Sequence, residues 1–332
     1  MVYDNTMSYE QTYSIVDLHC DTITCVVALS GGKDRLAKSG GHIDLPRLRA
    51  GGALMQAFAI FAPAEPLPEL RPLGDTPEAI VEAACRWYKK ELAENEGEIA
   101  PVRVFGDLEK NRAQGKISAL LTLEDGAVVK TPADLDALYE KGVRMIALTW
   151  NFANSLGFPN AIDEDRGKGL TELGRVAVGR MEELGMVVDV SHLSDGGFAD
   201  VAALAKKPFV ASHSNARALC DHPRNLTDGM LHTLADKGGA TGLNFYNLFV
   251  GDAKETTIAS ILRHALHIRK VAGMEALCLG SDFDGISCEL EFRDYAGYPA
   301  LLRAFERHFT PREMDLLTHG NALRILKACM GE

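Results

Sequence analysis

The chain has 332 residues, of which 46% are hydrophobic, so it is long enough for one large α/β barrel or two ordinary domains with a full core. Its formal net charge is -11, from 35 basic and 46 acidic side chains. This balance argues against nucleic acid or an anionic membrane as a partner, because either would select a basic surface.

Targeting and disulfide signals are weak in this chain. Residues 1–14 are polar, which predicts that they are not a signal peptide. No segment approaches the roughly 18 consecutive apolar residues of a membrane span, so we predict no membrane partner and a cytoplasmic location. The seven cysteines include no C-x-x-C pair, and we expect small buried thiols rather than disulfides.

Short apolar runs predict the strands of a parallel sheet. Most of them do not alternate with polar residues, as expected for strands that are covered on both faces. The first follows the polar N-terminal segment, and the others are separated by longer amphipathic or loop-like stretches. The eight predicted strands span residues 15–18, 53–61, 117–123, 145–149, 187–190, 209–212, 239–245 and 277–280.

Helical patterns lie between these strands. Thr-Pro at 131–132 is a good helix start, and Thr171 and Ser194 are candidate N-caps. We expect the last helix to close the barrel from outside. The predicted helices span residues 77–92, 131–141, 171–184, 194–204, 258–271 and 321–330.

Eight strands with helices between them predict a (β/α)8 TIM barrel of the metal-dependent hydrolase type. We interpret residues 1–332 as a single barrel domain with loop insertions at 31–52 and 62–76. Both insertions are expected to lie over the barrel mouth. A doubly wound sheet is the main alternative, but such a sheet binds ligands at one switch point rather than around a ring.

Six side chains with metal-binding potential end five of the apolar runs. A parallel barrel brings its strand ends to one face, so these side chains are expected to converge. Three imidazoles and several carboxylates in one pocket suit a metal such as zinc. The six side chains are His19, Asp21, Glu124, His192, His213 and Asp282.

Each of these residues alone has a simpler explanation. A histidine at a strand end is often only hydrogen-bonded, Glu124 fits a surface loop, and an aspartate before Gly285 fits a turn. Their occurrence together favours a metal site. Cys20 lies between His19 and Asp21, and we expect it to face away from them because alternate residues of a strand point to opposite sides.

Two further residues are predicted to handle substrate and protons. Asp282 is placed to take a proton from a metal-bound water and pass it to a leaving group. Arg224, one loop beyond His213, suits a substrate carboxylate because a guanidinium binds carboxylates in a bidentate manner. A surface arginine is the alternative interpretation of Arg224.

In this order, the motifs resemble those of the renal (membrane) dipeptidase family of the amidohydrolase superfamily. The resemblance runs from about residue 16 to residue 324. An H-x-D pair on the first strand favours the dipeptidase branch, since most other amidohydrolases have H-x-H there. The motifs are D-x-H-x-D at 17–21, Glu124, S-H-S-N-A at 212–216, R-N-L at 224–226 and G-S-D-F-D-G at 280–285.

The resemblance implies a dipeptidase with two Zn²⁺ per chain. Arg224 would bind the C-terminal carboxylate of a free dipeptide, and Asp282 would transfer the proton. The implied reaction is attack of a metal-bridging hydroxide on the peptide bond, with L-Xaa-D-Xaa dipeptides among the substrates, and a homodimer is also implied. The implied ligands are His19 and Asp21 for one ion, His192 and His213 for the other, and Glu124 bridging both.

One position departs from the family pattern. Mammalian-type relatives carry a histidine in the loop after the fourth strand, and this chain has Trp150 there. An indole N–H can donate a hydrogen bond but does not titrate. We therefore predict that Trp150 and Asn151 contact the substrate, with Asn154 as another possible donor.

Two rival functions remain open at this point. Another amidohydrolase reaction, such as lactone hydrolysis or deamination, would use the same fold and metals, and the fold alone does not distinguish it. A non-catalytic binding protein on a decayed barrel is a different class. Its signature would be a missing ligand or proton acceptor, and none is missing from the predicted set.

Overall fold

The computed structural model of the chain describes residues 13–65 and 67–331. The prediction made for residues 1–12 therefore lies outside the described residues, as does Pro66 of the second predicted insertion. The strands are β1 (Ile15–Asp17), β2 (Ala53–Phe61), β3 (Ile99–Pro101), β4 (Ile117–Glu124), β5 (Val143–Ala147), β6 (Val187–Asp189), β7 (Val210–Ala211), β8 (Ala240–Leu243) and β9 (Leu277–Leu279).

Eight of these strands form a closed parallel barrel. Their order around the ring is β1, β2, β4, β5, β6, β7, β8 and β9, and β9 pairs with β1. Strand β3 is extra: it pairs only with the start of β4, where Ile99 lies opposite Ile117. The predicted TIM barrel is confirmed, and each of the eight predicted strands corresponds to one strand of the ring.

Twelve α-helices follow or separate the strands in the described part of the chain. Two π-helical segments, Thr22–Ala28 and Leu316–Gly320, accompany them. The helices are α1 (Leu45–Gly51), α2 (Pro77–Glu94), α3 (Gly106–Ala113), α4 (Pro132–Lys141), α5 (Glu172–Leu184), α6 (Asp195–Leu204), α7 (Asp228–Asp236), α8 (Asn247–Val250), α9 (Ile258–Ala272), α10 (Tyr298–Phe305), α11 (Pro311–Asp315) and α12 (Asn321–Met330).

All six predicted helices are confirmed, to within two residues at each end. The predicted caps explain where they begin. The side chain of Thr171 accepts a hydrogen bond from the Gly174 amide, and that of Ser194 accepts one from the Gly197 amide. The helices that the sequence did not predict have only four to nine residues, too few turns for a helical repeat to stand out.

Helix α12 closes the bottom of the barrel, at the amino ends of the strands. Its apolar residues are Ala322, Ile325, Leu326 and Cys329, and they join one buried cluster with residues from all eight barrel strands. The helix therefore closes the barrel, as predicted, but it does so at the bottom rather than in the outer ring of helices. Its apolar side chains recur at helical spacing and need a dry surface, which the lower end of the barrel interior provides.

The first predicted insertion is tied to the barrel mouth. Residues 31–52 include helix α1 at their end. Before it, the His42 amide donates to the Asp284 carboxylate, and the Asp284 amide donates back to His42 Nδ1. Thr22 Oγ1 donates to the other carboxylate oxygen of Asp284. The insertion is thus held against the same strand ends that carry the predicted site.

Candidate metal centre and active site

The six predicted site residues lie at the carboxyl end of the barrel, where each follows or ends a strand. Glu124 is the last residue of β4, and it points inward like Leu120 four residues earlier, because alternate strand residues share a face. His213 comes two residues after β7, and Asp282 comes three residues after β9. The structure therefore brings the predicted residues to one place.

Glu124 lies at the centre of the cluster. Its Oε1 atom is 2.9 Å from His192 Nε2 and 3.5 Å from His213 Nε2. Its Oε2 atom is 3.6 Å from His19 Nε2. The two oxygens of one carboxylate thus face two different sets of imidazole nitrogens, which is the arrangement that a bridging carboxylate requires.

His19 links Glu124 to the other carboxylates. His19 Nε2 lies 3.4 Å from Asp21 Oδ2 and 3.8 Å from Asp282 Oδ1. The rings of His19 and His213 are stacked with centroids 3.8 Å apart. His19 Nε2 and Asp21 Oδ1 are buried without a hydrogen-bond partner among the described residues. Buried polar atoms rarely remain unpaired, so both atoms are available for a ligand.

Local backbone conformation aims these side chains into the mouth. His192 and Asp282 have positive φ angles of 67° and 64°, which are uncommon outside glycine. Each of the two residues lies three positions after the end of its strand, β6 or β9, and the positive φ turns the chain at the barrel mouth. Gly285 is required by close approach, since a Cβ there would lie 2.2 Å from Asp21 Oδ2 and 2.6 Å from Asp282 Oδ1.

The charges in the cluster leave an excess of negative potential. Burial raises the pKa of Glu124 to about 8, and the neighbouring Asp21 carboxylate adds to the shift. Burial also raises the pKa of Asp282. Burial lowers the pKa of His19, but the carboxylates of Glu124 and Asp21 outweigh it and the pKa is well above its usual value. These bound protons offset the negative charge of the carboxylates, as a bound metal cation would.

The two other histidines stay neutral for the opposite reason. Burial lowers the pKa of His192 and His213 well below the usual histidine range, and nearby positive groups add to the effect. A neutral imidazole has one lone pair for a metal. The side chains form three overlapping groups, and within each group the potential ligand atoms lie within 4.8 Å of one another. The groups are His19, Asp21 and Glu124; Glu124, His192 and His213; and His19, His213 and Asp282. The residues present thus fit divalent metal ions.

Hydrogen bonds behind the histidines set which ring nitrogen faces the cluster. His213 Nδ1 donates to Ser212 Oγ over 2.7 Å, because the Ser212 hydroxyl itself donates to the buried carboxylate of Asp189. His192 Nδ1 lies 3.1 Å from Asn151 Oδ1 and donates to it. Both Nε2 atoms therefore carry lone pairs toward Glu124, as metal-ligating histidines do.

Arg224 is buried beside the cluster rather than on the surface. Its Nη1 donates to Ser214 Oγ and its Nη2 to the His213 carbonyl, each over 3.1 Å. Its guanidinium lies 5.3 Å from the centroid of the Phe249 ring. The Nε atom is buried without a partner among the described residues, which leaves one directed donor for an anionic ligand.

The predicted substrate contacts lie on the β5 side of the mouth. Trp150 packs its ring 6.1 Å from that of His192 and edge-on to Phe61, with centroids 4.8 Å apart. Asn151 holds His192, so its nearest polar contact is a cluster histidine. Asn154 Nδ2 donates to Asp125 Oδ1 over 2.6 Å and to the Leu148 carbonyl, so it supports the loop.

Cys20 lies outside the cluster, and its Sγ atom lies 3.4 Å from Thr22 Oγ1, whose proton goes to Asp284. Burial raises the pKa of the Cys20 thiol well above its usual value, which disfavours the thiolate that a metal needs. All seven cysteines are free, as expected.

Sequence reasoning missed four residues that organise the site. Asp125 has a positive φ of 79° and accepts hydrogen bonds from the Ala64 and Ala127 amides. Asn244 Nδ2 donates to Asp282 Oδ2 over 2.8 Å. Asp189 and Ser212 orient His213. The sequence did contain a signal for three of them. Asp189, Ser212 and Asn244 end the apolar runs of β6, β7 and β8, just as the predicted ligands end other apolar runs.

Comparison with known proteins agrees with this geometry. Residues 6–330 match the family model described as membrane dipeptidase, peptidase family M19. An uncharacterized dipeptidase of Schizosaccharomyces pombe is 33% identical over 300 residues, which cover 86% of this chain and 72% of that protein.

Two solved structures are similar over nearly the whole chain. A metallopeptidase described as dipeptidase AC of family M19 has a TM-score of 0.86 and 29% identity, with 97% of this chain and 100% of that chain covered. A metallopeptidase from Rhodobacter sphaeroides, bound to a phosphinate mimic of the dipeptide L-Ala-D-Ala, has a TM-score of 0.85 and 28% identity, with 96% and 99% covered.

Among residues 13–65 and 67–331, no helix combines the length and the apolar character needed to cross a membrane.

Proposed function

Because the chain belongs to the membrane dipeptidase family, peptidase family M19, we propose that it is a zinc-dependent dipeptidase acting on free dipeptides. The observation that carries the proposal is the position of Glu124. Its two carboxylate oxygens face His19 on one side and His192 with His213 on the other. A cluster of this kind suits a pair of ions that share one carboxylate.

We assign one zinc ion to His19 and Asp21 and a second to His192 and His213, with Glu124 between them. The unpaired His19 Nε2 and Asp21 Oδ1 support the first assignment. The lone pairs that His192 and His213 direct at Glu124 support the second. Imidazole and carboxylate ligands suit zinc, and a pair of zinc ions supplies an activated water and polarises the scissile carbonyl.

Asp282 is the group that moves the proton. Its Oδ2 atom is held by Asn244, and its Oδ1 atom lies 3.8 Å from His19 Nε2 at the edge of the cluster. The carboxylate accepts a proton from the attacking water as the carbon–oxygen bond forms. It then gives that proton to the amide nitrogen as the carbon–nitrogen bond breaks. Burial raises the pKa of Asp282, which helps it hold the proton between the two steps.

Arg224 binds the C-terminal carboxylate of the substrate in this proposal. Its guanidinium is fixed by Ser214 and the His213 carbonyl, and the buried Nε donor, which has no partner among the described residues, supports this role. A carboxylate one residue beyond the scissile bond would meet this donor, which explains a limit to dipeptides. Trp150 and Asn151 are assigned to the other side of the substrate.

The phosphinate ligand of the Rhodobacter sphaeroides structure mimics an L-Ala-D-Ala dipeptide, and this supports the inclusion of L-Xaa-D-Xaa dipeptides among the proposed substrates. We propose further that residues 1–332 form one barrel domain and that the protein is cytoplasmic. A homodimer remains a prediction from the family resemblance.

The test is an assay of zinc-loaded protein against free L-L and L-D dipeptides, with a tripeptide and an N-acylated dipeptide as controls. We expect hydrolysis of the dipeptides only, with two zinc ions per chain by elemental analysis. Metal-loaded protein that leaves every dipeptide intact would contradict the proposal. Lactone and nucleobase substrates run in parallel would then identify another amidohydrolase reaction.

A further inference from the structure

An aromatic wall borders the cluster on one side of the barrel mouth. It consists of Phe61 at the end of β2, and Trp150 and Phe152 in the loop after β5. The ring centroid of Trp150 lies 4.8 Å from that of Phe61 and 5.7 Å from that of Phe152. Trp150 and Phe152 are half-buried, so both residues remain partly accessible.

The wall lies beside the metal-binding cluster. The Trp150 ring lies 6.1 Å from that of His192, whose Nε2 is 2.9 Å from Glu124 Oε1. Among the described residues the Trp150 indole N–H has no hydrogen-bond partner, and no charged side chain pairs with the wall. A surface of this kind favours an apolar group over an anionic one, because a carboxylate placed there loses its hydration without gaining a partner.

The position of the wall relative to Arg224 decides which part of a substrate meets it. In the ring of strands, β4 lies opposite β8, and Phe61 and Trp150 flank β4 from β2 and β5. Arg224 bonds to the residues that follow β7, next to β8. The wall and the guanidinium thus lie on opposite sides of the barrel mouth.

A carboxylate held by Arg224 fixes the direction in which a dipeptide lies across the mouth. Its extended length is about 7 Å, from two residues of about 3.5 Å each. With its carboxylate on Arg224 and its scissile carbonyl over the cluster, the remaining part is the N-terminal residue. The side chain of that residue therefore points to the β2–β5 side.

Building on the proposed function, we propose that the wall of Phe61, Trp150 and Phe152 selects dipeptides with an apolar, preferably aromatic, N-terminal side chain. Trp150 is the specificity-determining residue, because it joins the two phenylalanines and contacts His192. The C-terminal side chain lies away from the wall and is selected less strongly by it.

The experiment compares kcat/KM for Phe-Ala, Leu-Ala, Lys-Ala and Asp-Ala, and for the reversed pair Ala-Phe and Ala-Asp. We expect the kcat/KM of Phe-Ala to exceed that of Asp-Ala by at least about 10-fold, as an apolar pocket discriminates. In Trp150→Ala this ratio should fall to within about 3-fold of unity. The ratio of Ala-Phe to Ala-Asp should stay unchanged in the variant. Ratios within one preparation are independent of how much of a variant is folded.

Two further variants keep the result interpretable. Trp150→Phe keeps an aromatic ring and should retain most of the preference. Trp87→Ala is the matched control, since Trp87 lies on α2 between Lys90 and Arg35. This variant should leave the ratio of Phe-Ala to Asp-Ala unchanged.

Equal kcat/KM for Phe-Ala and Asp-Ala would overturn the inference, as would an unaltered ratio in Trp150→Ala. A variant that instead changes the ratio of Ala-Phe to Ala-Asp would overturn the assigned direction of the substrate. These outcomes leave the dipeptidase proposal intact. Absence of hydrolysis of every dipeptide by zinc-loaded protein would instead contradict the proposed function, and the inference with it.

Discussion

His192 Nε2 and His213 Nε2 lie 3.1 Å apart, although neither nitrogen carries a proton to share. The Nδ1 proton of His213 goes to Ser212, and that of His192 goes to Asn151. Two lone pairs at this distance repel each other, and both face Glu124. A cation bound by both nitrogens would remove this repulsion. The hydrogen bonds to Ser212 and Asn151 therefore prepare the two histidines for a metal.

Metal removal is expected to destabilise the protein. Chelation leaves Asp21, Glu124 and Asp282 buried together without a balancing cation. At a free zinc concentration about 1,000 times the Kd, binding contributes about 4 kcal/mol to the free energy of unfolding. Calorimetry should therefore show a Tm lower by roughly 6 °C after chelation, restored by added zinc. A Tm that is the same with and without chelator would argue against a structural contribution of the ions.

Asp282→Asn should reduce kcat by about 10²–10⁴-fold, the usual contribution of a positioned acid–base group. The amide can still accept a hydrogen bond but cannot carry the proton from water to the leaving nitrogen. Zinc content, measured by elemental analysis, should stay at the wild-type value. Loss of zinc in this variant would show that Asp282 is mainly a ligand.

Arg224→Ala should raise the KM for dipeptides by about 10-fold or more, with a smaller effect on kcat, because a buried charge-assisted bond to the substrate is lost. Arg180→Ala is a suitable control, since Arg180 pairs with Asp136 of α4 and Glu183 of α5 instead of facing the cluster. An unchanged KM in Arg224→Ala would remove this residue from substrate recognition. Both variants are compared by steady-state kinetics on one dipeptide.

Asp189→Asn should weaken zinc binding by about 10–100-fold, as loss of a carboxylate behind a metal ligand commonly does. Asp189 fixes the Ser212 hydroxyl, and Ser212 fixes the His213 tautomer. The measurement is a competition titration against a zinc chelator. Asp200→Asn, which affects a carboxylate paired with Arg175, serves as the control. Equal zinc affinity in both variants would show that the Ser212 contact is dispensable.

Stability should fall as the pH drops from about 6.5 to about 4, partly because of His264. Burial lowers the pKa of His264 to about 4, and the buried ring accepts a hydrogen bond from the Ala216 amide. In the unfolded chain this histidine has a pKa of about 6.5. Between these values only the unfolded state binds the proton, so lower pH favours unfolding.

The complete loss attributable to His264 is on the order of 3 kcal/mol, reached near pH 4. Denaturant unfolding at pH 7 and pH 5 measures the change. His264→Asn, which does not titrate, should have a smaller difference in free energy of unfolding between the two pH values. An equal difference in the two proteins would show that other groups account for the acid sensitivity.

The sequence predicted the barrel because strands that are covered on both faces have a recognisable local pattern of hydrophobic residues. Each appears as a short apolar run, and helices with Thr or Ser caps separate them. It also predicted which residues meet, since polar side chains at the ends of parallel strands share one face. Its errors were at features without a local signal, such as strand β3, the short helices and the position of α12.

By itself, the sequence determined the class of fold and the six side chains of the cluster, because both follow from residue types at strand ends. Only the tertiary structure decided how these side chains are used. The position of Glu124 between three histidines, the lone pairs of His192 and His213, and the aromatic wall across the mouth from Arg224 depend on contacts between residues distant in the chain. No periodicity encodes such contacts, because they are set by the closure of the barrel and the packing of its loops.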